Sequence, residues 1–207
     1  KPPCYYDRPQ DITKYFGNDK VTKLAGSHIG IIVALTASGK LYYWGRDWDT
    51  VASKDIIINR PVALAALASH RVTGFGGHSA GFSTGPGQIL HDAWYAYNDD
   101  TLFLVGGTGA FFSFSDDAEH VKPKLDGATI KQVDYVDTGY TPGRNGTYIL
   151  TSKNKLLHIK FDGSMTEVTN DKIKSRGGIK QIFNHYAIDH QGGLWFYGYG
   201  ENINPVI

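Results

Sequence analysis

The chain has 207 residues, of which 41% are hydrophobic and 13% aromatic, so it can bury a sizeable core in one domain or at most two. Its 21 Lys and Arg residues nearly cancel its 20 Asp and Glu residues, which argues against a nucleic-acid partner because no basic surface is available to neutralise phosphates. A single cysteine, Cys4, excludes an intrachain disulfide.

A strand that begins with a β-branched residue recurs four times along the chain. Its copies cover residues 21–26, 72–77, 130–134 and 179–183, so the repeat is about 50 residues long. Twenty-five glycines and 13 tyrosines beside one methionine favour strands and turns over helices. This composition agrees with a β-rich repeat.

A predicted β-hairpin follows each of these strands. The hairpins cover residues 34–45, 96–106, 149–160 and 187–198. Their centres hold pairs of residues that tolerate the backbone of a two-residue turn, namely Ser38-Gly39, Asp99-Asp100, Lys153-Asn154 and Gln191-Gly192. A strand and a hairpin recurring in the same order predict four copies of one unit.

The predicted class is all-β, with four four-stranded antiparallel blades of a β-propeller. One such unit cannot bury its own apolar face, so neighbouring sheets must stack on each other. We expect residues 1–207 to form one propeller or partial propeller, with repeats at about 9–60, 61–120, 121–170 and 171–207.

Two of the copies resemble the repeat of the regulator of chromosome condensation superfamily. The resemblance is carried by Val-Thr-Lys-Leu-Ala-Gly-Ser-His and the following hairpin over residues 21–47, and by residues 179–202 with Leu-Trp-Phe-Tyr-Gly-Tyr-Gly-Glu-Asn at their end. The second copy carries an insertion and the third has Lys160 in place of the closing glycine, so the chain resembles a divergent member.

The resemblance implies a ring, and members of that superfamily usually form seven blades. Four copies leave three alternatives open. Further blades lie outside this sequence, or four blades close on themselves, or copies from several chains complete one another.

No catalytic arrangement is recognisable in the sequence. The eight histidines include no pair at a metal-binding spacing beside a carboxylate. His91 and Asp92 are neighbours, and neighbours on a strand point to opposite faces. We therefore predict no catalytic residue, no metal and no cofactor, and a chain that is not an enzyme.

Two insertions fall between the first strand and the hairpin of their repeats, at residues 78–95 and 140–146. Because they occupy the same place in the repeat, we expect them to emerge on one face of the ring, where repeat proteins commonly bind. Their aromatic and arginine side chains are the predicted binding residues, together with the tryptophan after the first hairpin: Phe82, His91, Trp94, Tyr95, Tyr140, Arg144 and Trp48.

The predicted function is a scaffold that binds a protein partner through these loops. The alternative is a carbohydrate- or receptor-binding surface module, such as a virion attachment or decoration protein, and a propeller-type hydrolase is the third hypothesis. The longest apolar stretch, residues 61–68, is too short to span a bilayer, and no signal segment opens the chain. We expect a soluble protein without membrane insertion, in a compartment that the sequence leaves undetermined.

Overall fold

The computed structural model describes residues 11–26, 30–49, 54–76, 94–105, 120–136, 146–160, 164–198 and 202–206. These ranges contain four separate antiparallel sheets of four strands, and in every sheet the strands lie side by side in chain order. This arrangement confirms the predicted all-β class and the four-stranded antiparallel blades.

The first two sheets are built from residues 21–121. The first contains Val21–Gly26 (β1), Ile31–Thr36 (β2), Leu41–Asp49 (β3) and Lys54–Ala63 (β4). The second contains Gly74–Gly76 (β5), Trp94–Tyr97 (β6), Leu102–Val105 (β7) and His120–Val121 (β8).

Residues 130–205 form the other two sheets. The third contains Ile130–Val136 (β9), Gly146–Thr151 (β10), Leu156–Lys160 (β11) and Met165–Glu167 (β12). The fourth contains Ile179–Phe183 (β13), Tyr186–Asp189 (β14), Leu194–Phe196 (β15) and Asn204–Pro205 (β16). The one α-helix of the described ranges, Asp171–Lys174 (α1), precedes this fourth sheet, and none of their helices is long and apolar enough to cross a membrane.

Four residues, and not two, connect the second and third strands of every sheet: residues 37–40, 98–101, 152–155 and 190–193. In three of these loops the third residue is Gly39, Asn154 or Gly192, and its N–H donates to the last carbonyl of the preceding strand. The φ of these residues is positive, at 87°, 61° and 82° respectively. A tight turn followed by one left-handed residue is a common hairpin geometry. The predicted hairpins and their loop residues are therefore confirmed, and each predicted turn pair lies inside a four-residue loop.

Strand pairing establishes which residues correspond between sheets. The pairs next to the hairpin loop are Leu35 with Leu41, Tyr97 with Leu102, Leu150 with Leu156, and Ile188 with Leu194. Residues in corresponding pairs point to the same side of their sheets because side chains alternate along a strand.

Three apolar cores lie between consecutive sheets. The first joins Val33 and Leu35 of the first sheet to Phe75 and Phe103 of the second. Comparable clusters lie between the second and third sheets and between the third and fourth. Stacking of this kind buries faces that a single sheet would leave in water.

A short helical segment precedes three of the first strands and contributes an apolar side chain to the packing. These segments are the 3₁₀ helices Thr13–Phe16 and Ala65–Leu67, and α1. Phe16, Leu67 and Ile173 are buried, five to seven residues before the first strand of their sheets. This recurring residue was not predicted from the sequence, although its similar distance from the strand is a usable signal.

Candidate functional site

The first strands of the third and fourth sheets run side by side in the same direction. Three side chains of β9 bind the backbone of β13 or the turn after it. Lys131 Nζ donates to the Lys180 carbonyl at 3.0 Å, and Gln132 Oε1 accepts from the Ile182 N–H at 3.0 Å. Further along, Asp134 Oδ2 accepts from the His185 N–H at 3.3 Å. The two strands therefore end at the same edge of their sheets.

We call this the connection edge: the end of the sheets at which the first strand leads into the second. The connections are residues 27–30, 77–93, 137–145 and 184–185. The connection in the fourth sheet is only two residues long, whereas those in the second and third sheets are 17 and nine residues long. Both long connections lie outside the described residues. The strands on either side of them are described.

Five of the predicted binding residues belong to the second and third sheets' connections or border them. Phe82 and His91, and likewise Tyr140 and Arg144, lie outside the described ranges. Trp94 is the first residue of β6, and only its backbone is described.

The last two predicted residues differ in position. Trp48 lies in β3, on the extension of that strand beyond Gly45, and only its backbone is described. Tyr95 belongs to the core between the second and third sheets with 1% of its surface exposed. A buried ring does not offer a contact surface, so we do not include Tyr95 in the interface proposed below.

Asp134 clamps the fourth sheet to the third at the connection edge. Its Oδ2 accepts a 2.6 Å hydrogen bond from the Tyr197 hydroxyl, in addition to the bond from the His185 backbone. Burial raises the pKa of Tyr197 far above its usual value, and the nearby negative charge of Asp134 adds to this effect. Tyr197 therefore remains a neutral donor, and the arrangement is suited to holding two sheets together.

Exposed aromatic side chains lie beside this clamp. Phe183 is 74% exposed at the end of β13, and Tyr186 packs edge-on against Phe196 with ring centroids 5.5 Å apart. The His185 ring stacks on Phe196 with ring centroids 6.1 Å apart. Aromatic side chains at a surface are frequent anchors of protein contacts. These residues were not predicted from the sequence, because alternation alone does not show which face remains uncovered.

The first strands also contain a partly buried cation. Lys23 lies with its Nζ 4.5 Å from the centroid of the Phe75 ring and donates to the Phe75 carbonyl. Burial lowers the pKa of Lys23. This contact joins the first strands of the first and second sheets, in the way that Lys131 joins those of the third and fourth.

The opposite edge is polar. At the third sheet a groove of about 250 Å³ is lined by residues that include Lys153, Lys155 and Glu167. The Glu167 carboxylate forms ion pairs with Lys155 Nζ at 3.0 Å and with Lys174 Nζ at 3.2 Å. Partial burial alone would raise the pKa of Glu167, but the hydrogen bonds and charges of the two lysines outweigh it and lower the pKa. Exposed ion pairs of this kind contribute little to binding or stability.

The described ranges hold no group of three or more side chains that could bind a metal ion. His158 is buried and stacks on the Tyr148 ring at 4.6 Å. His70 is exposed and packs 4.8 Å from the ring of Phe103. These histidines pack against aromatic rings, and the absence of a metal or cofactor from the whole chain stays a prediction.

No protein-family model and no curated protein matches the sequence. Human WBSCR16 is similar in structure with a TM-score of 0.61 and 13% sequence identity, covering 92% of this chain and 54% of that one. Yeast RCC1 (Prp20), solved with Kap60 bound to it, has a TM-score of 0.50 and 15% identity, covering 88% of this chain and 42% of its own length.

The likeness lies in the fold. The chain spans about half the length of the solved structures it matches. Its four sheets form a partial β-propeller that is similar in fold to RCC1 and does not close into a ring. The β-propeller fold implied by the resemblance of residues 21–47 and 179–202 is thereby confirmed.

Proposed function

We propose that the chain is a non-catalytic scaffold that binds a protein partner at the connection edge. The observation that carries this proposal is the position of the two long connections, 77–93 and 137–145, which both leave the sheets where a first strand ends. Long connections on a rigid scaffold are typical contact loops. Similarity to yeast RCC1, which was solved with the protein Kap60 bound, supports a protein as the class of partner.

The strands next to these loops make the scaffold rigid. Gly76 and Tyr95 are paired across β5 and β6, and Val136 and Gly146 are paired across β9 and β10. Each loop therefore starts and ends at a fixed strand pair. Fixed ends lower the entropy that a loop loses when it binds, which favours affinity.

The comparisons offer no support for a carbohydrate-binding or virion protein, and we do not propose that alternative. The exposed rings of Phe183 and Tyr186 would bind protein side chains as well as they would stack on sugars. Fold similarity favours the first of these roles.

Shortening the loops tests the proposal. Residues 78–93 are replaced by Asn-Gly, which leaves Gly77 and Trp94 to pair across a two-residue turn, and residues 137–145 are replaced in the same way in a second variant. The matched control is Lys153→Ala with Lys155→Ala, which changes exposed side chains at the opposite edge.

Cross-linking in the source cells, followed by mass spectrometry, identifies the partner bound by the unmodified chain. We expect the recovery of that partner to fall at least about tenfold with the loop replacements and to be unchanged with the control, since anchor residues dominate binding energy. Recovery that stays the same in both folded loop variants would contradict the proposal.

A further inference from the structure

The contact between consecutive sheets uses the same three hairpin positions each time. In the first three sheets these positions are 5% exposed or less, apart from one at 7%: Val33, Leu35 and Leu41, then Tyr95, Tyr97 and Leu102, then Tyr148, Leu150 and Leu156. Each set lies in the core shared with the following sheet. The sheets thus use one recurring interface.

The fourth sheet keeps apolar residues at these positions, but no further sheet among the described residues covers them. Tyr186, Ile188 and Leu194 are 44%, 40% and 42% exposed, and Phe183 continues the same apolar surface. A terminal repeat that ends an array carries a polar outer face, since it must meet water. A contiguous apolar face of this kind marks a contact surface.

A backbone hydrogen bond accompanies each of the existing interfaces. The Val72 N–H donates to the Gly39 carbonyl at 2.9 Å, and the Ile179 N–H donates to the Asn154 carbonyl at 2.8 Å. Between the second and third sheets the Ile130 N–H reaches the Asp99 carbonyl at 2.8 Å. A residue in a hairpin loop therefore binds the start of the next first strand.

The corresponding loop residue of the fourth sheet is Gly192. A Cβ at Gly39 would meet the Val72 carbonyl oxygen at 2.8 Å, whereas a Cβ at Gly192 would meet nothing within 4 Å. The loop of the fourth sheet is thus shaped like the others and faces open space where the others meet a first strand.

The first sheet presents the other half of this interface. Leu24 is 61% exposed, although its counterparts Phe75 and Ile182 are buried against the preceding sheets. Leu24 lines a groove of about 490 Å³ together with Ile12, Phe16, Val21 and Trp44. Phe16 packs on one side of the groove, 5.0 Å from the Tyr42 ring and 6.2 Å from the Trp44 ring, and the rest is open.

We propose that the open face of the fourth sheet binds the open face of the first sheet of a second copy, so that chains associate head to tail. Tyr186, Ile188 and Leu194 would pack on Leu24 of the second copy, and the Val21 N–H of that copy would donate to the Gly192 carbonyl. The apolar contact repeats one that the chain already makes three times, and the hydrogen bond repeats those accepted by Gly39 and Asn154. The interface joins two different surfaces, so association leads to a closed ring or to longer assemblies.

Polar side chains of the first strands fit the same proposal. Gln132 Oε1 accepts from the Ile182 N–H, and the counterpart of Gln132 in the fourth sheet is Gln181, which is exposed. In a head-to-tail pair Gln181 would accept from the Leu24 N–H of the second copy. The interface would then hold hydrogen bonds that set the register as well as apolar contacts.

Complementary variants test this arrangement. Ile188→Lys blocks the fourth-sheet face and Leu24→Lys blocks the first-sheet face, and both residues are exposed, so each variant should fold. Ala65→Lys, on an exposed residue of the short helix between the first and second sheets, adds the same charge away from both open faces. Sedimentation velocity over a hundredfold range of concentration measures association.

We expect the unmodified chain and Ala65→Lys to associate as concentration rises, and each blocked variant alone to stay monomeric. An equimolar mixture of the two blocked variants should form a two-chain species and nothing larger, because one intact interface remains. Circular dichroism verifies that each variant is folded. A monomeric unmodified chain at every concentration would overturn the proposal, as would association that neither face variant reduces. If the unmodified chain is monomeric at every concentration, another protein or further sheets of a longer polypeptide occupy the open face of the fourth sheet.

Discussion

The third and fourth sheets have the same strand order and corresponding apolar residues, yet one buries its outward face and the other exposes it. Tyr148, Leu150 and Leu156 are 1% exposed or less. Their counterparts Tyr186, Ile188 and Leu194 are at least 40% exposed. The comparison shows that the repeat determines which positions are apolar, whereas burial depends on whether a further sheet follows.

The largest effect should come from truncating the same leucine in the two sheets. Leu156→Ala should lower the free energy of unfolding by about 2–5 kcal/mol, because it leaves a cavity in a fully packed core. Leu194→Ala should cost less than about 1 kcal/mol in the monomer, since its side chain is already partly in water. Urea unfolding at low protein concentration measures both. Equal losses of unfolding free energy in the two variants would mean that the outward face of the fourth sheet is covered in solution. The third and fourth sheets would then not differ in burial.

The polar residue that ends the second strand provides another contrast. In the fourth sheet Asp189 is fully buried and accepts from Trp195 Nε1 at 2.9 Å, from two backbone N–H groups and from Arg176. In the third sheet Thr151 has this position and accepts from the Lys155 N–H at 3.2 Å.

Replacing these two residues by alanine should therefore have unequal effects. Asp189→Ala should destabilise the chain by about 2–4 kcal/mol, because it leaves buried donors without an acceptor, and the partial exposure of Arg176 moderates this loss. Thr151→Ala should cost about 1 kcal/mol. Thermal unfolding of the two variants beside the parent chain checks the order, and a larger loss from Thr151→Ala would refute it.

Acid should weaken the fourth sheet through the same carboxylate. The Arg176 guanidinium, with hydrogen bonds from Trp195 and the backbone, holds the pKa of Asp189 far below its usual value. A lowered pKa means that the stabilisation is complete above about pH 4, the pKa of an unfolded aspartate, and is lost as the pH falls further. Unfolding measured from neutral pH down into this range should show a smaller pH dependence in Asp189→Asn than in the parent chain. The same slope in both would show that other carboxylates dominate.

The smallest effect concerns the bond that joins the two compared sheets. Tyr197→Phe removes the hydroxyl that donates to Asp134 and should cost about 1–2 kcal/mol. Tyr97→Phe is the matched control, because its hydroxyl makes only a long bond, 3.4 Å, to the Lys131 carbonyl. Urea unfolding should show the larger loss for Tyr197→Phe. Equal losses would indicate that the Asp134 clamp contributes nothing specific.

Much of the fold was predictable from local pattern. Strand-forming residues run along 31–36 and 186–188, and turn residues such as Gly39 and Gly192 follow them, so hairpins could be recognised one at a time. The exact bounds of each loop were left open by the sequence, because a loop residue can extend the turn without changing the pattern of the strands.

The candidate site was predictable only in part. The sequence pointed to the two long connections, and their common exit from one face stays a prediction. Tyr95 was predicted as a contact residue and lies in the core, because a single position in a strand does not reveal how far the sheet beside it extends. Asp189 gave no signal at all, since Arg176 approaches it only after the fourth sheet packs.

The sequence by itself determined that four strand-and-hairpin units follow one another and which positions of each are apolar. Both are local properties, because alternation and turn formation depend on residues that are close along the chain. Tertiary structure alone decided which of those apolar faces are covered, and that Asp134 and Tyr197 would meet. Burial requires a second sheet to approach, and the position of that sheet depends on contacts between residues distant in sequence.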